Sequence, residues 1–242
     1  MIFGRKKADP VPPDPDDADE KDETDDIADD DALDDEDEPS DEEPAELDPW
    51  VAFDSSRDWR DDGPFDIDEV DLGADDVQRV DLGTLILTPE KGMNIKLVAN
   101  AETKQVQHVV VENGPQSAMQ ITVFAAPATE DFRADIREDI VAHTENAKVV
   151  DMAEGPFGTE LRRVIALTDD QGREGFAPLR DWLIAGPRWV LNVRLIGQAA
   201  LDSANEAAAS EFEEFVHNII VRRGDVAMVP GSVVPLVPPE TA

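Results

Sequence analysis

Cysteine and tyrosine are absent from the sequence, and only three of its 242 residues are histidine. Without cysteine the chain has no disulfide framework, no thiolate metal site and no cysteine nucleophile, which suits a reducing compartment. No apolar run approaches about 18 residues, the length that a membrane-spanning helix requires. The first residues, Met1–Lys7, lack an apolar stretch long enough for a secretory signal. We therefore expect a cytoplasmic protein without a membrane span.

The sequence also lacks the motifs that carry common chemistry. His108, His143 and His217 stand far apart, and none lies in an H-E-x-x-H frame, so no zinc site is predicted. No phosphate-binding P-loop is present, and no G-x-G-x-x-G motif follows a predicted strand. With 57 acidic residues, neighbouring carboxylates arise by chance and do not indicate a catalytic pair. We expect no enzyme activity, no cofactor and no metal.

Acidic residues dominate the composition. The 57 Asp and Glu stand against 21 Lys and Arg, for a net charge of −36. Residues 1–48 hold 23 of the acids and only four cations, a net of −19, and their one aromatic is Phe3. Such a segment buries too little apolar surface to offset its ordering entropy, so we predict a disordered acidic arm. Strong binding of nucleic acid is not expected from so negative a chain.

Residues 49–78 mix aromatic side chains with aspartate, serine, glycine and proline. Their apolar positions follow neither the helical period nor the strand period. We interpret this segment as an irregular, aromatic-containing linker whose aromatics anchor it to the surface of the domain. The alternative is a recognition peptide for a partner.

Residues 79–224 are predicted to form one α+β domain. Apolar and polar residues alternate in short segments bounded by glycine, proline or asparagine, which predicts strands. The segments are 85–87, 93–98, 106–111, 119–123, 148–152, 161–167, 176–184 and 189–196. The last places Trp189 and Leu191 on an apolar face and Asn192 and Arg194 on a mixed face. We therefore predict that it is a central strand packed on the core.

A helix is predicted after residues 119–123. Thr129 is its expected cap, and Ile136 and Ile140 lie on one apolar stripe with Phe132 before them. The arginines and aspartates off that stripe, Arg133, Asp135, Arg137 and Asp139, are predicted to form a solvated face.

A second helix is predicted to start near Asp202 or Ser203 and to bury a stripe that includes Phe212 and Phe215. Residues 225–242 are predicted to form an extended, proline-rich tail that is strapped to the surface. These elements predict an α+β fold, in which two main helices pack on a largely antiparallel sheet of about six to eight strands.

Short motifs in a fixed order resemble those of an uncharacterised actinobacterial family, a domain of unknown function. The motifs are Gly63-Pro64-Phe65-Asp66, Arg79-Val80-Asp81-Leu82-Gly83, Phe124-Ala125-Ala126-Pro127, Gly158-Thr159-Glu160-Leu161, Gly186-Pro187-Arg188-Trp189, Val221-Arg222-Arg223-Gly224 and Pro235-Leu236. The resemblance covers about residues 60–240 and implies a soluble cytoplasmic protein, but no particular chemistry. The order of hairpins and helices also resembles PsbP-like sandwiches at the level of the fold, which implies binding rather than catalysis.

Arginine is the main cation after residue 126, where ten arginines accompany a single lysine, Lys148. Guanidinium groups bind carboxylate and phosphate bidentately, and a nearby tryptophan can stack on a ring or a guanidinium. The candidate face for an anion or a partner comprises Arg163, Arg180, Trp182, Arg188, Trp189 and Arg194. The alternative is that each arginine pairs with a nearby acidic residue.

The sequence favours a non-enzymatic cytoplasmic binding or adaptor domain whose partner it does not identify. The alternative is a regulatory domain that binds a small molecule or an anion on the Arg/Trp face. In that case the acidic arm is expected to compete with the anion for Arg188 and Arg194. The oligomeric state is not predicted.

Overall fold

The computed structural model describes residues 48–168, 170–201 and 206–239. Their strands form two sheets, one of seven strands and one of four. The larger sheet is antiparallel throughout, so the predicted α+β class and the predicted largely antiparallel sheet are confirmed. Apart from Asp48, the predicted disordered arm lies outside the described residues. Asp202 and Ser203, the predicted start of the second helix, lie outside them too.

Within these ranges the chain forms eleven strands and three α-helices. The strands are β1 (Phe65–Asp66), β2 (Val80–Asp81), β3 (Leu85–Leu87), β4 (Met93–Ala99), β5 (Val106–Asn113), β6 (Ser117–Ala125), β7 (Ala147–Gly155), β8 (Gly158–Thr168), β9 (Glu174–Gly186), β10 (Trp189–Gly197) and β11 (Ile220–Val221). The helices are α1 (Pro49–Asp54), α2 (Arg133–Ala142) and α3 (Glu206–His217). The large sheet has the order β4-β5-β6-β10-β9-β8-β7, and the small sheet has the order β1-β11-β3-β2.

Two antiparallel meanders make up the large sheet. The first is β4–β6 and the second is β7–β10, and α2 links them along the chain. The pairing of β6 with β10 joins the two meanders over the whole length of β10. The β9–β10 turn depends on Gly186, because a Cβ there would lie 2.1 Å from the ring of Trp189. Glycine therefore leaves the space in which the indole lies.

Strand β10 occupies the middle of the large sheet, as the sequence predicted. Leu191 and Val193 are wholly buried on one side, which we call the core face. Val190 lies on the other side and packs with Ile136 of α2 and with Leu183. We call this side the α2 face. A strand with one fully covered face and one partly covered face is what the alternation of its residues had indicated.

The main core lies between the core face, α3 and the small sheet. Phe212 and Phe215 of α3 are buried in it. In the small sheet, β1 pairs in parallel with β11, with Phe65 opposite Ile220. The C-terminal segment also covers the main core. Leu236 is buried in it, and its N–H donates to the carbonyl of Val106 at 2.8 Å.

Helix α2 begins four residues after its predicted cap. Its N-cap is Phe132, which makes no side-chain capping bond, and Thr129 lies outside the helix. The carboxylate of Asp131 accepts the backbone N–H of Arg133 at 3.1 Å. This bond satisfies a free donor of the first turn, so the helix starts at Arg133.

The predicted solvated face of α2 is wrong for its two arginines, which are both buried. Arg137 lies 2.7 Å from the carboxylate of Asp54 at the end of α1, and Arg133 donates to the carbonyl of Asp54 at 3.0 Å. Arg133 also pairs with Asp131 at 2.5 Å. Burial opposes the ionisation of Asp131, but the hydrogen bond and charge of Arg133 outweigh it and lower the pKa of Asp131. The arginines are buried because another segment supplies their counter-charge.

Residues 49–78 contain short regular elements although their sequence shows no period: α1, β1 and a 3-10 turn at Ile67–Glu69. Asp48 caps α1 by accepting the backbone N–H two residues later at 2.7 Å. Asp54 is almost completely buried and accepts the N–H of Thr159 in β8 at 2.7 Å. A buried carboxylate therefore attaches α1 to the large sheet.

Candidate functional site

The two tryptophans of the predicted Arg/Trp face lie in the core. Trp182 is 2% exposed and Trp189 is 0% exposed. The indole N–H of Trp182 donates to Glu160 at 2.6 Å, and that of Trp189 donates to Asp66 at 2.7 Å. Neither ring is placed to stack on a ligand at the surface.

Glu160 is wholly buried on the core face and collects three donors. Besides Trp182, it accepts the Nε of Arg162 at 2.6 Å and the Nη2 of Arg180 at 2.7 Å. Two cations and an indole thus surround one carboxylate. Arg180, a member of the candidate face for an anion or a partner, is used in this pairing.

Asp181 forms the corresponding cluster on the α2 face, where it too is wholly buried. Arg163 donates to it at 2.5 Å and also to the hydroxyl of Thr144 at 2.5 Å. Arg194 donates to the other carboxylate oxygen of Asp181 through its Nε at 2.7 Å. Arg163 and Arg194 are therefore brought together, about a shared acidic residue.

Arg188 lies apart from these clusters, in the turn between β9 and β10. Its φ is +61°, and its guanidinium donates to the carbonyl of Gly224 at 2.8 Å. Asp225 is 3.8 Å away and fully exposed. The six predicted residues thus lie on both faces of the sheet and in one turn, and the structure does not gather them on a single exposed face.

Part of the α2 face carries polar groups that have few partners, and sequence reasoning missed all of them except Arg194. His108 in β5 lies opposite Thr122 in β6, which in turn lies opposite Asn192 in β10. One step along, Gln120 lies opposite Arg194. Asn192 is 4% exposed, yet its side-chain oxygen has no hydrogen-bond partner. We call His108, Thr122, Asn192 and Arg194 the polar row.

One sequence signal did point to the polar row. Asn192 and Arg194 are two apart in the predicted central strand, so they share its mixed face. His108 had no such signal, because only the pairing of distant strands places it beside them. Burial, and to a lesser extent the charge of Arg194, lower the pKa of His108 from its ordinary value of 6.5. The imidazole is therefore neutral at pH 7 and offers one donor and one acceptor.

The opposite end of the large sheet is apolar. Strand β7 is its edge, and within the described residues β7 pairs only with β8. Exposed large apolar side chains concentrate near this edge: Val149, Val150, Leu167 and Phe176 in the sheet, and Leu201, which follows β10. Val149 is 50% exposed and Val150 is 43% exposed. Because they are consecutive, one lies on each face of the sheet.

A groove flanks β7 on each face. On the α2 face, Trp50, Val51 and Met152 line a groove of about 370 Å³ between α1, α2 and β7. On the core face, Val164 and Leu201 line a groove of about 340 Å³. We call β7 and these two grooves the β7 edge.

No group of three acidic or histidine side chains capable of holding a metal ion occurs among the described residues. None of the helices in that part of the chain has the length and apolar character needed to cross a bilayer.

The structure therefore defines an α+β domain with a polar sheet face at one end and an apolar edge strand at the other. Residues 63–242 match the family described as "Protein of unknown function (DUF3710)", and the chain belongs to that family. This confirms the resemblance indicated by the short motifs. A comparison with curated proteins finds no match.

Solved structures that match part of this chain include three proteins of low sequence identity. Cyanobacterial PsbP from Synechocystis sp. PCC 6803 is 11% identical, with a TM-score of 0.34, over 62% of this chain and 95% of that one. The Ran-binding protein Mog1p of Saccharomyces cerevisiae is 10% identical, with a TM-score of 0.35, over 60% and 94%. A protein of Bacteroides thetaiotaomicron VPI-5482 is 12% identical, with a TM-score of 0.34, over 57% of this chain. The match spans 45% of the Bacteroides chain.

Proposed function

We propose that this protein is a non-enzymatic binding domain that docks an extended segment of another protein along the β7 edge. The observation that carries the proposal is the nine-residue strand β7, which is unpaired on its outer side in the described residues and exposes valines on both faces. Free N–H and C=O groups along a sheet edge accept an added strand, and neighbouring grooves select its side chains. We further propose that it acts in the cytoplasm, as the sequence predicts.

The two edges of the large sheet differ in how they are protected. Strand β4, at the other edge, exposes Asn94 and Lys96, and polar edge residues discourage further pairing. In strand β7, Lys148 and a register shift between Ala147 and Val149 discourage pairing with a further strand, but only at its first residues. From Val149 onward the pairing with β8 is regular. The unprotected part is long enough to pair with a strand of ordinary length.

The charges around the β7 edge favour a basic partner. Asp48 and Glu138 border the groove on the α2 face, and Asp151 and Glu154 are exposed on β7 itself. Lys148 is the opposing cation on the strand, and the arginines that line the grooves are paired within the domain: Arg162 and Arg180 with Glu160, and Arg137 with Asp54. The whole chain carries −36, which steers cations toward it and repels anions. The partner segment is therefore expected to have small apolar residues at its centre and lysine or arginine at its ends.

A synthetic peptide tests this chemistry. We would use nine residues, with five central valines and threonines and two lysines at each end. Its affinity for the full chain would be measured by calorimetry, and pairing would be followed through hydrogen exchange of the β7 amides. We expect the β7 amides to become protected and the peptide to bind at least about tenfold more tightly than its glutamate counterpart, a difference of about 1.4 kcal/mol.

Two controls separate strand addition from general electrostatic attraction. The same peptide with alternate amides N-methylated keeps its charge but cannot complete the ladder, and it should not protect β7. Val150→Lys should weaken binding, whereas Asn94→Lys, which places the same charge on the β4 edge, should not. Equal binding of the N-methylated peptide, or equal losses in the two variants, would refute the proposal.

A further inference from the structure

The polar row lies on four adjacent polar positions whose spacing is fixed by strand register. His108, Thr122 and Asn192 are directly opposite one another in three successive strands. Side chains paired in this way have Cβ atoms about 4.5–5.5 Å apart. Arg194 lies two residues from Asn192, on the same face of β10. The four groups therefore fall within the dimensions of one small molecule.

These groups have few partners within the protein. The amide of Asn192 makes no side-chain hydrogen bond in the described residues, and burying an unpaired amide reduces stability. Arg194 donates to Asp181 only through its Nε. No hydrogen bond to the imidazole of His108 is present either in that part of the chain. A bound molecule would give these groups the partners that the fold leaves out.

The guanidinium groups beside the polar row suit an anion. Arg163 and Arg194 share Asp181, so this cluster has two cations and one carboxylate. Asp139 and Glu145 line a groove with both arginines on the side of α2, and Lys96 pairs with Glu112 at 2.6 Å, so the cationic excess is confined to the two guanidinium groups. A guanidinium with free N–H groups beside a neutral imidazole and an amide suits a carboxylate or a phosphate.

We propose that the polar row binds a small organic anion, whose carboxylate or phosphate group is held by Arg194, Asn192 and His108. The apolar part of the ligand would lie against Val98 and Val110, which are half-buried on the same face. This site is separate from the β7 edge, and neither proposal depends on the other.

The full chain would be titrated with inorganic phosphate and with benzoate, at constant ionic strength, while the imidazole signals are followed by NMR. The signal of His108 is assigned as the one that is missing in His108→Gln. We expect saturable binding with a Kd below about 10 mM for at least one of the two anions, together with a shift of that signal. The two probes distinguish a phosphate site from a carboxylate site.

Substitutions test whether Arg194 and Asn192 bind the anion. Arg194→Gln should weaken binding at least about tenfold, and Lys96→Gln, which removes a cation on the same face, should change it less than about twofold. If Arg194→Gln disturbs the pairing of Asp181, Asn192→Leu provides a second test that leaves the ion cluster intact. Asn192→Leu should raise the melting temperature and weaken anion binding, because the amide is unpaired in the fold and paired to the ligand.

Three outcomes would overturn the proposal. The first is that neither anion saturates the protein below about 10 mM. The second is that Lys96→Gln loses as much affinity as Arg194→Gln, which would indicate general attraction to the surface. The third is that Asn192→Leu binds the anion as tightly as the unaltered protein does, which would place the ligand elsewhere.

Discussion

Four carboxylates are buried among the described residues, and each lies against a specific donor. They are Asp54, Asp66, Glu160 and Asp181. Arginines surround three of them, and the indole N–H of Trp189 reaches the fourth. An isolated buried carboxylate is costly, and pairing offsets this cost only when the hydrogen-bond geometry is good. Some of the acidic residues of this chain therefore have a structural role as buried partners of arginine and tryptophan.

Trp189 provides a direct test at the scale of one residue. Because the ring is wholly buried and its N–H satisfies Asp66, we expect Trp189→Ala to cost about 3–5 kcal/mol of unfolding free energy. Urea denaturation measures this loss. Trp50→Ala is the matched control, since Trp50 is only half-buried, and it should cost clearly less. A loss below about 1 kcal/mol for Trp189→Ala would contradict its place in the core.

His108 predicts a dependence of stability on pH. Its pKa is lowered in the folded state, by burial first and by Arg194 second, so the unfolded chain binds the proton more tightly. As the pH falls through about 6.5, the unfolded state gains protons that the folded state does not, and stability decreases. We expect the melting temperature of the unaltered protein to fall between pH 7.5 and 5.5 more than that of His108→Gln. Parallel curves for the two proteins would show that His108 does not contribute.

At the scale of elements, α1 and α2 are joined to β8 through one residue. Asp54 ends α1, contacts Arg133 and Arg137 of α2, and accepts the N–H of Thr159 at the start of β8. Six residues are too few for an isolated helix to be stable in water. The position of α1 is therefore set by this carboxylate and by its contacts with the sheet.

We expect Asp54→Ala to cost about 3–5 kcal/mol, because it leaves the buried guanidinium of Arg137 without its counter-charge, whereas Arg133 keeps its pairing with Asp131. Chemical denaturation gives the value. In the double variant Asp54→Ala with Arg137→Met, the loss should be smaller than the sum of the two single losses, since one unpaired charge is removed. Additive losses would show that Asp54 and Arg137 act independently.

The elements that the sequence predicted are those with long alternating patterns. Strand β10 and the two meanders follow directly from residue alternation, and α3 follows from its apolar stripe. Of the small sheet only β3 was predicted as a strand, because its four strands have two or three residues each and show no period. The burial of Arg137 was not predicted either, since its partner Asp54 lies 83 positions earlier in the chain. The polar row was missed for the same reason: it is assembled by long-range pairing.

At the scale of the whole molecule, the acidic arm carries more than half of the net negative charge, −19 of −36. Removal of residues 1–47 keeps Asp48, which caps α1, and takes away 22 of the 57 acidic residues. We expect the melting temperature to change by no more than a few degrees, because the composition of the arm leaves little apolar surface to bury. A larger drop in a thermal unfolding experiment would mean that the arm contributes to the fold.

The same deletion should strengthen the binding of anions to the domain. Less negative charge reduces repulsion, and the effect should be clearest at low salt, where screening is weak. Titration of phosphate into the intact and shortened chains at two ionic strengths measures it. Equal affinity of the two chains at low salt would show that the arm does not influence the polar row.

The parallel pairing of β1 with β11 has a consequence for synthesis. Phe65 pairs with Ile220, so β1 has no partner until β11 has been made. At translation rates of about 5–20 residues per second, the interval between these two residues is roughly 8–30 s. During that time the small sheet cannot close over the core face, and Leu236 has yet to reach Val106. We therefore expect the nascent chain to depend on chaperones that shield apolar surface until β11 and Leu236 have left the ribosome.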